Sequence, residues 1–331
     1  MTPLKQQQGA ALLTAMMIVV LVATLASGMV WQQWRAVQVE AAERARAQSA
    51  WVLSGALDWA RLILREDAKT STSKGIGTRL GEPWSFPLAE ARLSSFLAVD
   101  KDNNPDDGPP AFLSGGIADA QAKYNLRNLI DSGAVRPAEL VVLQHLFENI
   151  GVAPDLALRI ATGLRDAGPP LSAAAIAAAA ASGIDVTRPA NPPLNPQRLA
   201  QLAWFGVDEA SLARMAPFVT LLPASPTTVN LNTAPREVLA AVIDKLDLAG
   251  AERLRLRAPF SAVADAEAVL GAGSLAGPIG QRLGTQSSFF EVRGRLRLED
   301  RVLEESSLVQ RNGIEVFTVQ RERVASREAG G

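Results

Sequence analysis

From Ala10 to Trp31 the chain reads AALLTAMMIVVLVATLASGMVW, twenty-two residues without a charge. At about 1.5 Å per residue this makes roughly 33 Å of helix, enough to cross a bilayer core of about 30 Å. Polarity then rises through QQWRAVQVEAAERARAQSAWVLSGALDWARLILRED, yet helical spacing persists and no proline intervenes between Pro3 and Pro83. Leu53, Ala56, Leu57, Ala60 and Leu64 recur on one face, with Asp58, Arg61 and Arg65 turned away. The pattern predicts one very long helix. Its first half lies in a membrane; its second half packs on a folded domain and ends near Ala68, where TSTSKGIG supplies breakers. Ala23, Ala26, Ser27 and Gly28 suit close packing in lipid, the Thr14 hydroxyl can bond its own helix, and Trp31 and Trp34 sit where interfacial anchors belong.

Beyond this helix the periodicity changes several times. Residues 78–99 favour no element, because Pro83 and Pro87 interrupt them. GGIADAQAKYNLRNLI (115–130) predicts a strand over 115–121 and then a turn into helix, with Asn125 and Asn128 as turn and cap formers in a structural role. Residues 134–220 are helical in pattern: one helix opens at Pro137 and stops at Gly151, a second runs from Pro154 to Gly168, and an alanine run covers 173–181. A proline-rich connector, TRPANPPLNP, precedes two short helices split at Gly206. In TTVNLNTAPREVLAAVIDKL (227–246), Thr233 reads as an N-cap with Pro235 near the first helical position. Three strands close the chain: 287–298, 301–311 and 314–324. The first alternates Phe290, Val292, Leu296 and Leu298 with Glu291, Arg293, Arg295 and Arg297, and Asn312-Gly313 marks a hairpin turn. This meander should pack one face on the 50–64 stripe. Residues 325–331 are expected to be disordered.

Composition narrows the chemistry. With 331 residues and a net charge of −1, the chain can bury a sizeable core and lacks the basic balance of a general nucleic-acid binder. The absence of cysteine removes disulfides, thiolate zinc sites and thiol nucleophiles, and a single histidine, His145, removes histidine triads. No constellation points to an enzyme. Asp100, Asp102, Asn104 and Asp106 alternate as in the first half of a calcium loop, but Pro105 and Ala111 occupy the places of the glycine and the bidentate glutamate. The stretch reads as a solvated acidic loop. NLNTAP also occurs in helix-hairpin-helix DNA-binding modules, but DLAGAERLRLRAPF follows where their glycine hairpin would stand.

The apolar segment admits three readings: a cleaved secretory signal, a plain signal anchor, and a class III signal peptide. The first fits poorly, since the run is long and flows into more helix. Charge does not orient the segment, because Lys5 lies on one side and Arg35, Arg44 and Arg46 with Glu40 and Glu43 on the other. The third reading rests on Gly9, which stands directly ahead of the apolar run after a short polar stub containing Lys5. This junction resembles a prepilin peptidase site, where the cut follows the glycine on the cytoplasmic side and the apolar helix stays on the mature protein. The fifth residue after that cut is Thr14, where most pilins and pseudopilins carry a glutamate.

Taken in order, the Gly9–Ala10 junction, WVLSGALDWA, IADAQAKYNLRNL, NLNTAPREVLAAVI and the terminal FFEVRGRLRL hairpin resemble the type II secretion minor pseudopilin K family. The resemblance implies an α+β fold: a pilin-like long N-terminal helix packed on an antiparallel β-sheet, with a large inserted α-helical domain. The parts would be a leader (1–9), a transmembrane helix (10–31), its amphipathic continuation (32–68), a pilin-like domain (69–129 and 286–324) and the insert (130–285). It implies a place at the tip of the pseudopilus with minor pseudopilins I and J, alongside other pseudopilins, after cleavage by prepilin peptidase and N-methylation of Ala10. Exoprotein substrates and the outer-membrane secretin are implied as further contacts, and nucleic acid is not. The anchor would be single-pass in the bacterial inner membrane, with its N-terminus cytoplasmic and the folded part periplasmic. Some members bind calcium in the helical insert; here that stretch offers Asp166 and Asp185, with the 100–106 loop as a separate candidate. The alternatives are a membrane-anchored helix-hairpin-helix DNA receptor of an uptake system and a type IV pilus minor pilin.

Overall fold

The computed structural model describes residues 8–93, 111–170, 172–181, 187, 189–298 and 301–324. The leader up to residue 7, the 100–106 loop, Asp185 and the 325–331 tail lie outside the described residues. The chain divides into two compact units, one up to Gly55 and one from Ala56 on.

The first unit is helix. Helix α1 spans Gln8–Lys74, and its Leu12–Val30 stretch leaves its large apolar side chains exposed. Thr14, Thr24 and Ser27 turn their hydroxyls back onto the carbonyls of Ala11, Leu21 and Ala23 at 3.0, 2.9 and 2.8 Å. These polar groups are therefore satisfied within the helix and present little polarity outward.

In the second unit α1 lies on a sheet. The sheet has the order β1-β2-β9-β10-β11, all antiparallel. Its strands are β1 (Leu88–Arg92), β2 (Ala111–Asp119), β9 (Phe289–Leu298), β10 (Arg301–Asn312) and β11 (Glu315–Val324). The expected terminal meander is present, and two strands from the first half of the chain extend it beyond β9. Leu57, Ala60 and Leu64 of α1 pack with Trp84, Phe290, Val292, Val309 and Val316. Trp84 meets Phe290 edge to face, with ring centroids 5.4 Å apart, and its indole N–H donates to Glu82 at 2.9 Å.

Several expectations are corrected. Helix α1 does not stop near Ala68 but continues to Lys74. Asp67 and Ala68 are buried, and Thr70 bonds back to the Glu66 carbonyl at 3.1 Å, so tertiary contact outweighs the breakers. Gly75, at φ +61°, finally ends the helix in the left-handed conformation that favours glycine. Arg61 does not simply face away: its Nε and Nη2 donate to the Val316 carbonyl of β11 at 3.0 and 2.8 Å. The strand expected over 115–121 begins at Ala111 and ends at Asp119, followed by a 3₁₀ turn over Ala120–Ala122 rather than an α-helix.

The other elements of this unit form a helical layer with its own core. They are β3 (Tyr124–Asn125), β4 (Ile130–Asp131), β5 (Ala134–Val135), α2 (Pro137–Ile150), α3 (Asp155–Ala167), α4 (Ala173–Ala181), α5 (Glu209–Met215), β6 (Val219–Thr220), β7 (Val229–Asn230), α6 (Arg236–Val242), α7 (Leu248–Arg257), α8 (Val263–Leu270), α9 (Pro278–Gln281) and β8 (Leu283–Gly284). Leu143, Leu146 and Phe147 of α2, Ile160 and Leu164 of α3, Leu239 of α6 and Leu254 of α7 meet in one cluster. Pro137 opens α2 and Gly151 ends it, as the spacing predicts. His145 is exposed on α2. The residue before Gly206 belongs to a 3₁₀ helix, Leu199–Phe205, whose last ring lies against α3. A Cβ on Gly163 would stand 2.5 Å from the Phe205 ring. Gly163→Ala is expected to cost about 1–3 kcal/mol by overpacking, read as a lower denaturation midpoint with an unchanged m-value.

Candidate functional site

Two features carry candidate function. The first is the apolar part of α1. Among the described residues one helix is long and apolar enough to cross a membrane; its most apolar 18-residue window has mean hydropathy 2.3 and none of that window is buried. Gly9 and Ala10 fall in the first turn of this helix. Thr14 lies one turn further on and is neutral, its hydroxyl donating to Ala11 O. No carboxylate occurs on α1 before Glu40. A subunit whose helix buries a carboxylate needs a cation to pair with it in lipid or in a fibre; this helix carries no such requirement.

The second feature is a buried polar junction where α1, the sheet and the helical layer meet. Asp119, at the end of β2, accepts four hydrogen bonds: from Gln121 N at 2.8 Å, Asn230 Nδ2 at 2.9 Å, and the hydroxyls of Thr233 and Ser287 at 2.6 Å each. Burial lifts its carboxyl above the usual carboxylate range, and these donors only partly offset the lift. Asn230 also donates to the Thr78 carbonyl at 3.1 Å. Arg311 of β10 reaches Asp67 of α1 at 2.7 Å, the Thr78 hydroxyl at 2.7 Å and the Ser287 carbonyl at 3.0 Å, with its guanidinium 4.8 Å from the Phe290 ring centroid. Burial, with Glu82 nearby, raises Asp67 despite Arg311.

The NLNTAP segment supplies this junction, so Thr233 is not the N-cap expected of it. Helix α6 starts at Arg236 after Pro235, and the Thr233 hydroxyl is committed to Asp119. Asn232 instead bridges to Phe260, donating to its carbonyl at 3.0 Å and accepting from its N–H at 2.7 Å. Asn125 and Asn128 clamp the 222–227 loop through Leu222 N, Ala224 O and both backbone groups of Thr227. Arg127 between them reaches Pro196 O at 3.1 Å and Gln197 Oε1 at 3.2 Å, which ties the proline-rich connector down. Sequence reasoning placed Asn125 and Asn128 as local caps and missed Asp119. Two asparagines within the otherwise apolar VNLN were the available signal for a buried polar site.

The outward arginines of β9 are paired within the chain. Arg297 pairs with Glu90 at 2.7 Å, Arg295 with Glu304 at 3.3 Å and Arg293 with Glu291 at 2.8 Å. Of the calcium candidates, Asp166 is paired with Arg165 at 2.8 Å. No group of three His, Cys, Asp or Glu side chains converges among the described residues.

Family models described as type II secretion system, protein K, match residues 122–224 and 229–286. Type II secretion system protein K of Pectobacterium carotovorum subsp. carotovorum is 26% identical over 338 residues, covering 96% of both chains. Its namesake from Pseudomonas aeruginosa is 27% identical over 321 residues, covering 89% of this chain and 86% of the relative. Over nearly its whole length the chain is similar to type II secretion system protein K. A crystal structure of the GspK-GspI-GspJ complex from the enterotoxigenic Escherichia coli type 2 secretion system contains a chain of the same fold, with TM-score 0.61 and 19% identity over 86% of this chain and 99% of that one. The protein K matches cover the stretch that contains Asn125, Asn128, Asn230 and Thr233. The long helix on an antiparallel sheet with a helical layer is thus the protein K fold, as expected.

Proposed function

We propose that this chain is the minor pseudopilin at the tip of a type II secretion pseudopilus, initiating or capping its assembly in the export of folded proteins across the outer membrane. The observation that carries this reading is the Ala11–Trp31 part of α1: an exposed, uncharged stretch with a neutral Thr14, preceding a folded unit similar to protein K. In this reading prepilin peptidase cuts between Gly9 and Ala10, and Ala10 becomes the methylated N-terminus. The helix first anchors the subunit in the inner membrane with the folded part in the periplasm, and then joins the fibre core. Residues 130–285 act as the inserted helical domain, and the role is assembly rather than catalysis. A helix without the glutamate has nothing to offer the amine of a subunit above it, which suits the last position of a fibre.

The partners would be minor pseudopilins I and J. The full chain in detergent, mixed with the soluble regions of I and J from the same system, is expected to coelute with both and to leave duplex DNA unbound. Salt-dependent DNA retention without I or J binding would reverse the choice in favour of a DNA receptor.

A further inference from the structure

The cations that follow the apolar part of α1 are not equivalent. Arg44 is neutralised on its own helix by Glu40 at 2.7 Å, and Arg46 by Glu43 at 2.6 Å. Arg35 has no carboxylate within ion-pair distance among the described residues, and the first acidic residue of the chain is Glu40, already held by Arg44. The Arg35 guanidinium lies instead over Trp31, 5.7 Å from the ring centroid. Trp31 and Trp34 are 59% and 61% exposed. Gln32 and Gln33 complete a run of five residues that, at about 100° per residue, places aromatic and polar groups all around the helix.

Depth decides what such a collar can bind. With Ala11 at one edge of a core about 30 Å thick, twenty-four steps of about 1.5 Å place Arg35 roughly 6 Å beyond the other edge. That is the headgroup layer, where the abundant anion is a phosphodiester. A guanidinium fork matches two phosphate oxygens, and an aromatic face beneath it limits its freedom.

We propose that Arg35, stacked on Trp31 and flanked by Trp34, binds the phosphate of a phospholipid headgroup and so sets the depth of α1 in the membrane. The proposal rests on the reading that α1 crosses the bilayer. It gives the collar a task in assembly: the subunit waits at a fixed height, and leaving the membrane breaks the phosphate contact first.

The chain has no cysteine, so a single cysteine introduced at Gln38 carries a nitroxide without competition. The full chain is placed in vesicles of phosphatidylethanolamine and phosphatidylglycerol, and separately in vesicles of phosphate-free galactolipid. Immersion depth is read from collisions with oxygen and with a water-soluble nickel chelate. In phospholipid, Arg35→Gln is expected to move the label deeper by about 3 Å or more, two residues of helical rise. In galactolipid the two chains should sit alike, with or without added inorganic phosphate. Equal depths in phospholipid would overturn the proposal, as would a difference that persists in galactolipid alone. A difference that appears in galactolipid only when inorganic phosphate is added would make the ligand the free ion and overturn the lipid assignment. A second label at Ala26 separates the underlying reading: if the nickel chelate reaches it freely in both lipids, α1 is not in the bilayer and the proposal falls with that reading.

Discussion

Asp119→Ala is expected to lower the stability of the folded unit by about 3–5 kcal/mol, seen as a lower denaturation midpoint. The carboxylate accepts from Gln121 N, Asn230, Thr233 and Ser287, and of these residues Gln121, Asn230 and Ser287 are buried. Asn230 keeps an acceptor in Thr78 O, which limits its loss. Each remaining buried donor left unpaired costs about 1–3 kcal/mol. A change under about 1 kcal/mol would mean that the junction is hydrated rather than closed. The pH dependence supplies a second reading. Burial raises the folded pKa of Asp119 above its ordinary value of 3.8. The folded state therefore holds a proton where the unfolded state has released it. The stability linked to that proton is fully present below the unfolded pKa and is lost as pH rises through the folded pKa. Asp67 has the same sign. Asp119→Asn should flatten the fall of stability above about pH 4 without abolishing it, since Asp67 still titrates. A steeper fall in the variant would contradict the assignment.

The other large effect concerns processing. Co-expressed with a prepilin peptidase, the chain is expected to lose Met1–Gly9, and Gly9→Val to retain them in full, as read by intact mass. Gly9 lies in the first turn of α1, whereas a protease takes an extended chain, so this turn must unwind. Glycine favours helix less than alanine by about 1 kcal/mol and leaves room for close approach of an enzyme, whereas valine adds a branched side chain beside the scissile bond. An unchanged mass for the wild type would remove the pseudopilin reading. Cleavage of Gly9→Val at the wild-type rate would move the determinant elsewhere in the stub.

The elements legible in the sequence are those whose signals are local. An uncharged run without proline announces α1, Pro137 and Gly151 bracket α2, and Gly313 turns the β10–β11 hairpin, although the two turn residues are Gly313 and Ile314, one position later than Asn312-Gly313 predicts. What was missed depends on distant partners. Strand β2 pairs with β9 across most of the chain, Ala111 opposite Leu298, and nothing near residue 111 announces it. The Asp119 junction draws on residues 78, 121, 230, 233 and 287, which local pattern places in an unassigned stretch, a strand, the approach to a helix and the start of another strand, so none announces the others. Arg61 looked solvent-facing because its acceptor lies 255 positions away.

The bond from Arg61 to β11 has a consequence for how copies of this chain can meet. Strand β11 is the last in its sheet, and the free side of an edge strand is a template on which a foreign strand can grow. Arg61 occupies the Val316 carbonyl with two donors, and the register slips between Leu308 and Val309 opposite this strand. Beyond the slip, Arg321 is held by Glu305, and Glu322 by Arg198 at 2.8 Å. An arriving strand would have to evict a guanidinium, follow a bulge and separate ion pairs before gaining a ladder of its own. The β11 edge is thereby guarded against strand addition from a second copy.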